Sequence, residues 1–342
     1  MNTTRLSLDA ARAEADDAVV RVTAPGRLHL GFLDLAGTLG RRFGSLGVSL
    51  ERPATIVSLQ RAAALEATGP DAERAAAAVE KAARRFDLDT RVKVHVEAAL
   101  PPHSGLGSGT QMALAVAAGL AALQGKTLTP REIAQALGRG ARSAIGIGAF
   151  TDGGVILDGG KAVGTGAGDA PPPILSRLPF PEHWRILLVY DHGHRGLSGS
   201  EEVTAMNELP PFANGLAGTL ARLTVMKALP ALVEDQVRHF GEAVGEMQRL
   251  LGDHYAGVQG GRYTSPHVAE VMAWIEAAGV PGVGQSSWGP TGFAFLGSPD
   301  EAERLIGEVR ARFGASPHLA FDCVRGSNAG ARIERLACLA QR

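Results

Sequence analysis

Between positions 91 and 96 the chain alternates strictly, with Val92, Val94 and Val96 on one side of an extended segment and Lys93, His95 and Glu97 on the other. Period-two alternation of this kind predicts a strand with one buried face. Similar material lies earlier, at residues 20–22 and then Leu28, Leu30 and Phe32, on either side of the break Ala24-Pro25-Gly26, and again at 54–59. Residues 71–86 are rich in Ala, Glu, Lys and Arg with no breaker, which predicts a helix. A second helix is expected over 110–124, ended by Gly125; it is apolar nearly all round, so burial on every side is expected.

Thr129-Pro130-Arg131-Glu132 has the form of a helix start, because the Thr129 hydroxyl can accept from a free amide, Pro130 suits the first turn, and Glu132 can complete a capping box. The stretch 159–181, with Pro171, Pro172 and Pro173, disfavours a regular element and places a domain junction near residue 180. Beyond it, strands are expected at 184–190, 292–296 and 331–335, and helices at 268–278, at 299–313 and over 216–251 with a break at Pro230. Strands and helices mix in both halves. The class expected is α+β, in two domains covering residues 1–180 and 181–342, since 342 residues exceed the usual size of a single core.

Composition narrows the partners. Hydrophobic residues are 45% and charged residues 20%, ordinary for a globular chain. A formal charge of -1 with no basic block argues against nucleic acid. Apolar runs such as 113–123 fall short of the roughly 20 residues needed to span a bilayer, so no membrane anchor is expected. Residues 1–18 contain no apolar core of a secretory signal and read as a solvated lead-in. Cys323 and Cys338 lack CxxC spacing and read as reduced thiols, which points to the cytoplasm.

The chemistry concentrates in Gly105-Leu106-Gly107-Ser108-Gly109, between a strand and a helix, where backbone amides and the helix dipole can converge on an anion. By itself such a turn is as readily a tight structural turn. The dinucleotide GxGxxG spacing fails at Thr110, and no Walker GKS or GKT occurs. Three segments change the picture: APGRLHLG at 24–31, PPHSGLGSGTQ at 101–111 and GQSSWGPTG at 284–292. In this order they resemble the three motifs of the GHMP kinase superfamily, over nearly the whole chain. Within it the nearer resemblance is to the beta-ribofuranosylaminobenzene 5'-phosphate synthases, carried by RLHLGFLDL, PPHSGLGSGTQ, RGLSGSE at 195–201 and SSWGPT at 286–291.

That resemblance implies a GHMP-kinase-like two-domain fold, with a ribosomal protein S5-like N-terminal domain, a ferredoxin-like C-terminal domain and an active site between them. It also implies a condensation of phosphoribosyl pyrophosphate with 4-aminobenzoate or 4-hydroxybenzoate, releasing carbon dioxide and pyrophosphate on the way to methanopterin. A homodimer is what the family suggests. Kinases of the superfamily keep an aspartate in a Ser-Gly-x-Asp stretch, but here Ser143-Ala144-Ile145-Gly146 ends in glycine. Their Gly-Ser-Ser-Ala turn reads Gly-Ser-Gly-Thr at 107–110. An ATP-dependent small-molecule kinase remains the alternative, with Asp152 as a substitute acid, and a phosphate-binding metabolite sensor is the non-enzymatic one. Decarboxylative transfer needs no strong base; it needs leaving charge stabilised and a ring held in place.

On this reading Arg27, His29 and Arg195 are the candidate catalytic residues. Ser104, Gly105, Gly107, Ser108, Gly109 and Thr110 would hold phosphate, and Gln111, Gln285, Ser286 and Ser287 would touch substrate. Mg2+ would bridge pyrophosphate oxygens through one or two carboxylates, with Asp34, Glu201 and Glu202 as candidates. Arg41 and Arg42 are further possible donors. His192 and His194 would face the same way on a strand, but no third zinc ligand is evident.

Overall fold

A computed structural model describes residues 18–164, 168–197 and 200–336. The lead-in at 1–17, Cys338, and Ser198 and Gly199 of the RGLSGSE segment lie outside the described residues.

Two sheets organise the chain. The larger has eight strands: β1 (Val19–Asp34), β2 (Arg41–Arg61), β3 (Glu66–Thr68), β4 (Val92–Ala98), β5 (Val155–Asp158), β6 (Lys161–Ala162), β7 (Ile174–Leu178) and the late strand β12 (Arg332–Leu336). Its main path runs β12-β1-β2-β4-β3, with β5 and β6 pairing β2, and β7 pairing β5. The smaller sheet has the order β11-β8-β10-β9, from β8 (Arg185–Asp191), β9 (Val283–Gln285), β10 (Gly292–Leu296) and β11 (Leu319–Val324). Its pairings are antiparallel throughout.

The alternating valines behave as expected: Val92, Val94 and Val96 are buried in β4 beneath two helices, α1 (Ala72–Phe86) and α2 (Ser108–Leu123). Twelve of the sixteen residues of α2 are buried, which is why its sequence carries no polar face. The helix start at Thr129 is realised in α3 (Pro130–Ala136), where the Thr129 hydroxyl accepts from the Glu132 amide and the Glu132 carboxylate accepts from the Thr129 amide. α4 (Ile145–Thr151) follows. Further on lie α5 (Ser200–Glu208), α6 (Asn214–Leu223), α7 (Leu229–Val233), α8 (Val237–Gln259), α9 (Pro266–Ala277) and α10 (Pro299–Phe313).

Five expectations need correction. The break at Ala24-Pro25-Gly26 does not end a strand, because β1 absorbs it as an irregularity in its register with β2. The proline-rich stretch contains β7, whose partner β5 needs an edge strand that prolines on its flank do not obstruct. Pro230 does not break its helix: a π-turn at Thr224–Ala228 widens the coil ahead of it, so α6 and α7 run on as one stretch. That stretch, Asn214–Val233, is long and apolar enough to cross a membrane by length and composition, contrary to the estimate from uninterrupted apolar runs; Leu220, Thr224, Ala228, Ala231 and Leu232 on it are buried in the protein. Finally, the change of sheet falls between β7 and β8, but β12 returns to pair with β1, so the last strand belongs to the first sheet.

One core joins the two halves. Leu28, Leu30 and Leu46 from the large sheet pack in the same cluster as Phe293 and Phe295 from the small sheet, Trp184 just before β8, and Phe240 and Met247 from α8. The seam between the sheets is therefore fixed, and the glycine turn lies beside it.

Candidate active site

Three separate segments meet at the Ser286 side chain. Its hydroxyl accepts from the His29 amide at 3.0 Å and donates to the Gly105 carbonyl at 2.8 Å. The Ser287 amide returns a bond to the His29 carbonyl, 3.1 Å. At Gly105, with φ +83°, a Cβ would fall 2.1 Å from the Ser286 carbonyl, and at Gly289 one would fall 2.2 Å from the Gly105 nitrogen. Glycine at both positions lets the two loops pass backbone against backbone.

Beyond this junction opens a cleft of about 490 Å³. Gly107, Ser108, Gly109 and Thr110 form one wall, at the start of α2, whose cap residue Gly107 supplies no side chain. The first amides of that helix are thus left for an anion, on the positive end of its dipole. Arg27, Arg74, Arg139 and Arg142 line the same cleft, and Glu202 is the one carboxylate among its described lining residues. The Arg142 guanidinium donates to Glu202 at 2.6 Å, and Arg27 donates to the Gly105 carbonyl. Burial lowers the Arg27 pKa to about 10, with Glu202 opposing, so the guanidinium keeps its charge at neutral pH. Surrounding protein and the Arg74 charge lower Arg139 as well. A positive cleft with one acid suits a ligand carrying several negative charges.

His29 forms part of the floor and is 3% exposed. Burial, reinforced by Arg27 and Arg142, holds its pKa down at about 3, so the imidazole is neutral, and neither ring nitrogen has a hydrogen-bond partner. His29, Phe32, Ser287 and Trp288 also line a second, smaller chamber of about 30 Å³, which continues toward Tyr255 and Gln285.

Comparisons with known proteins agree with this layout. Residues 72–157 match the model of the GHMP kinases N terminal domain, and residues 228–315 match that of the GHMP kinases C terminal domain. A beta-ribofuranosylphenol 5'-phosphate synthase of Methanothermobacter thermautotrophicus is 33% identical, over 79% of this chain and 86% of its own. The chain belongs to this synthase family. A second such synthase, of Archaeoglobus fulgidus, is 31% identical over 68% of this chain and 76% of its own. Among solved structures, homoserine kinase from Cytophaga hutchinsonii superposes with a TM-score of 0.65 at 17% identity, over 93% of this chain and 98% of that one, which attests the α+β GHMP fold alone.

Within this synthase-family chain the sequence-predicted residues divide. Arg27, His29, Gly105, Gly107, Ser108, Gly109, Thr110, Ser287 and Glu202 line the cleft together. Ser286 is fully buried and ties the three loops, so it positions rather than touches a ligand. Gln111 is likewise buried, donating to the Gly146 carbonyl at 2.8 Å, and Ser104 turns back to the Pro101 carbonyl at 2.7 Å. Gln285 lines the smaller chamber with its amide spent on Thr264, Gln259 and Ser287. Arg195 is exposed and absent from the cleft lining; its segment is stitched alongside through Gly196 to His103 and Leu197 to Trp288.

Asp34 is a turn residue, accepting from the amides of Ala36 and Gly37, and Glu201 is exposed. Neither lines the cleft, and no cluster of three or more metal-ligating side chains occurs among the described residues, His192 and His194 included. Arg41 and Arg42 serve structure, holding the carbonyls of Gly159, Gly160 and Leu35. Asp152, the substitute acid of the kinase alternative, is exposed at the end of α4 and outside the lining. What the sequence reading missed is Arg74, Arg139 and Arg142. A signal existed for two of them: Gly138-Arg139-Gly140-Ala141-Arg142 puts two arginines in a glycine loop directly before α4.

Proposed function

We propose that this synthase binds phosphoribosyl pyrophosphate in the large cleft and transfers its phosphoribosyl group to a para-substituted benzoate, 4-hydroxybenzoate or 4-aminobenzoate, with loss of carbon dioxide and pyrophosphate. The two relatives named above are synthases of a ribofuranosylphenol phosphate, which favours this class of acceptor and a place in methanopterin synthesis. The observation that carries the reading is the pairing of four arginines and a free helix start with a cleft nearly devoid of acids.

The step needs no base. The bond from C1 of the ribose to pyrophosphate breaks, and the ring carbon bearing the carboxylate bonds to C1. Carbon dioxide then leaves, and the electron pair of its bond restores the aromatic ring, so no proton is gained or lost. Arg27, Arg139 and the amides at Ser108 and Gly109 stabilise the departing diphosphate, the charge that grows in the transition state. His29, neutral and buried beside them, keeps water and a competing cation away from the oxocarbenium-like centre. Magnesium, carried with the diphosphate, would take Glu202 as its protein ligand and supply further charge neutralisation.

The test is release of labelled carbon dioxide from carboxyl-labelled 4-hydroxybenzoate or 4-aminobenzoate, with pyrophosphate measured in parallel, in magnesium and phosphoribosyl pyrophosphate. Equimolar release of the two products is expected. Absence of both with either acceptor, or consumption of ATP to form ADP with a small-molecule acceptor, would overturn the reading.

A further inference from the structure

The smaller chamber has a size and a chemistry that the large cleft lacks. Its volume of about 30 Å³ accommodates one or two water-sized groups and not an aromatic ring. The side chains that join it to the cleft, His29, Phe32, Ser287 and Trp288, include three rings, and Phe32 meets His29 edge to face with centroids 4.7 Å apart. Tyr255, which also lines the chamber, lies against Trp288, centroids 4.6 Å apart.

Its polar lining is selective in what it leaves unspent. Gln285 and Gln259 are occupied with one another and with nearby backbone, Gln248 bonds the Leu30 carbonyl and the Gln285 amide, and Arg262 is paired with Asp253 at 2.9 and 3.1 Å. What remains without a partner is the Tyr255 hydroxyl and both nitrogens of His29, all buried. Buried polar groups left unpaired are uncommon, and several carried by residues that line one small space point to a ligand group that completes them. An imidazole and a phenol each donate and accept, so the missing group is one that also does both: a hydroxyl or a primary amine.

We infer that this chamber is the subsite for the para substituent of the aromatic acceptor, with the ring packed against the His29, Phe32 and Trp288 rings at the chamber's mouth and the hydroxyl or amino group hydrogen-bonded by His29 and Tyr255. The inference rests on the proposed reaction for its choice of a benzoate. The orientation follows from that chemistry: the carbon bearing the carboxylate must face the ribose in the large cleft, so the para position points away, into the chamber. It also gives the pair a role in rate. As the ring attacks, positive charge moves to the para oxygen or nitrogen, and a hydrogen bond from that group to an imidazole nitrogen strengthens in the transition state. Charge returns to the ring when carbon dioxide leaves.

The experiment is titration calorimetry of 4-hydroxybenzoate, 4-fluorobenzoate and 4-methoxybenzoate into the full chain with saturating magnesium and inorganic pyrophosphate, repeated on Tyr255→Phe. In the wild type, 4-hydroxybenzoate should bind at least about tenfold more tightly than 4-fluorobenzoate, which offers no proton, and than 4-methoxybenzoate, which is too large. In Tyr255→Phe the preference over 4-fluorobenzoate should fall to within about threefold. Equal binding of the methoxy and hydroxy compounds by the wild type, no binding of any of the three, or a preference unchanged in Tyr255→Phe would each overturn the assignment. The first two readouts need no variant to fold. Carbon dioxide release by the wild type without discrimination among the three would leave the reaction standing and remove the chamber; discrimination without carbon dioxide release would keep the chamber and remove the reaction.

Discussion

The Ser286 hydroxyl lies 2.8 Å from the Gly105 carbonyl, binding the last of the three motif loops to the turn that starts α2. The same oxygen accepts from the buried His29 amide, so a single atom sets the spacing between the proposed phosphate wall and the floor of the cleft. Ser286→Ala strands that amide and frees one acceptor, a cost of about 1–3 kcal/mol for a buried donor left unmade. Urea unfolding should show that loss, and kcat/KM should drop about tenfold or more because the wall is no longer fixed. A variant with unchanged midpoint and unchanged kinetics would remove Ser286 from the positioning role.

Arg139 tests the charge of the cleft without testing its scaffold. Burial and then the Arg74 charge lower its pKa, so removing Arg139 relieves a desolvation cost and a repulsion as well as an attraction to ligand. Arg139→Gln should therefore unfold at the wild-type temperature or slightly above it. Pyrophosphate affinity should fall about tenfold to a hundredfold, the range of one lost charge-assisted hydrogen bond. Retained affinity in calorimetry would place the diphosphate elsewhere.

The sequence reveals the fold in proportion to how local its signals are. The Val92, Val94, Val96 alternation, the Thr129–Glu132 box and the Pro299 helix start each depend on neighbours within a few residues, and all are realised. β12 pairs with β1 across some three hundred positions, and nothing in Arg332 to Leu336 announces that partner. The same division holds in the site. Glycines at 105 and 107 are readable because the turn demands positive φ there, whereas Tyr255 is one more residue of a long amphipathic helix until α8 is placed beside Trp288. Ser286 and Gln111 look like ligand contacts in a motif; only packing assigns them to holding the loops.

Thr129 separates helix stability from catalysis. Its box satisfies two amides at the start of α3, which leads into the Arg139 loop but touches no ligand wall. Thr129→Ala should cost about 1 kcal/mol, read from the denaturation midpoint. Turnover should stay within about twofold; a larger fall would mean that α3 holds the arginine loop more directly than its contacts imply.

His29 predicts a pH dependence of stability. Its folded pKa of about 3 lies below the ordinary 6.5, so the unfolded chain takes up a proton that the folded chain refuses. The resulting stabilisation is complete above pH 6.5 and is lost as pH falls toward 3, at a slope of up to about 1.4 kcal/mol per pH unit. Urea unfolding of wild type and His29→Gln at pH 7, 6 and 5 isolates this residue. The wild type should lose stability faster, by about 1 kcal/mol per unit below pH 6; parallel curves would mean that His29 is charged in the folded protein.

Gly146 decides how far the site has moved from phosphoryl transfer to a hydroxyl. By the resemblance of Ser143-Ala144-Ile145-Gly146 to the kinases' Ser-Gly-x-Asp stretch it takes the place of their aspartate; it is buried in α4, with its carbonyl accepting from Gln111. A Cβ there would lie 3.1 Å from the Thr110 methyl carbon, tighter than ordinary contact, so the position is filled by the start of α2 and not open to an acceptor. Gly146→Asp would press a carboxylate against that packing and next to the proposed diphosphate wall, where burial and like charge both oppose it. The variant should lose about 2 kcal/mol or more of stability and bind pyrophosphate more weakly, without gaining ADP formation from ATP. A folded Gly146→Asp that phosphorylates a small-molecule acceptor would mean that the cleft is still a kinase cleft lacking one side chain, and the assignment of its arginines to a leaving pyrophosphate would fail with it.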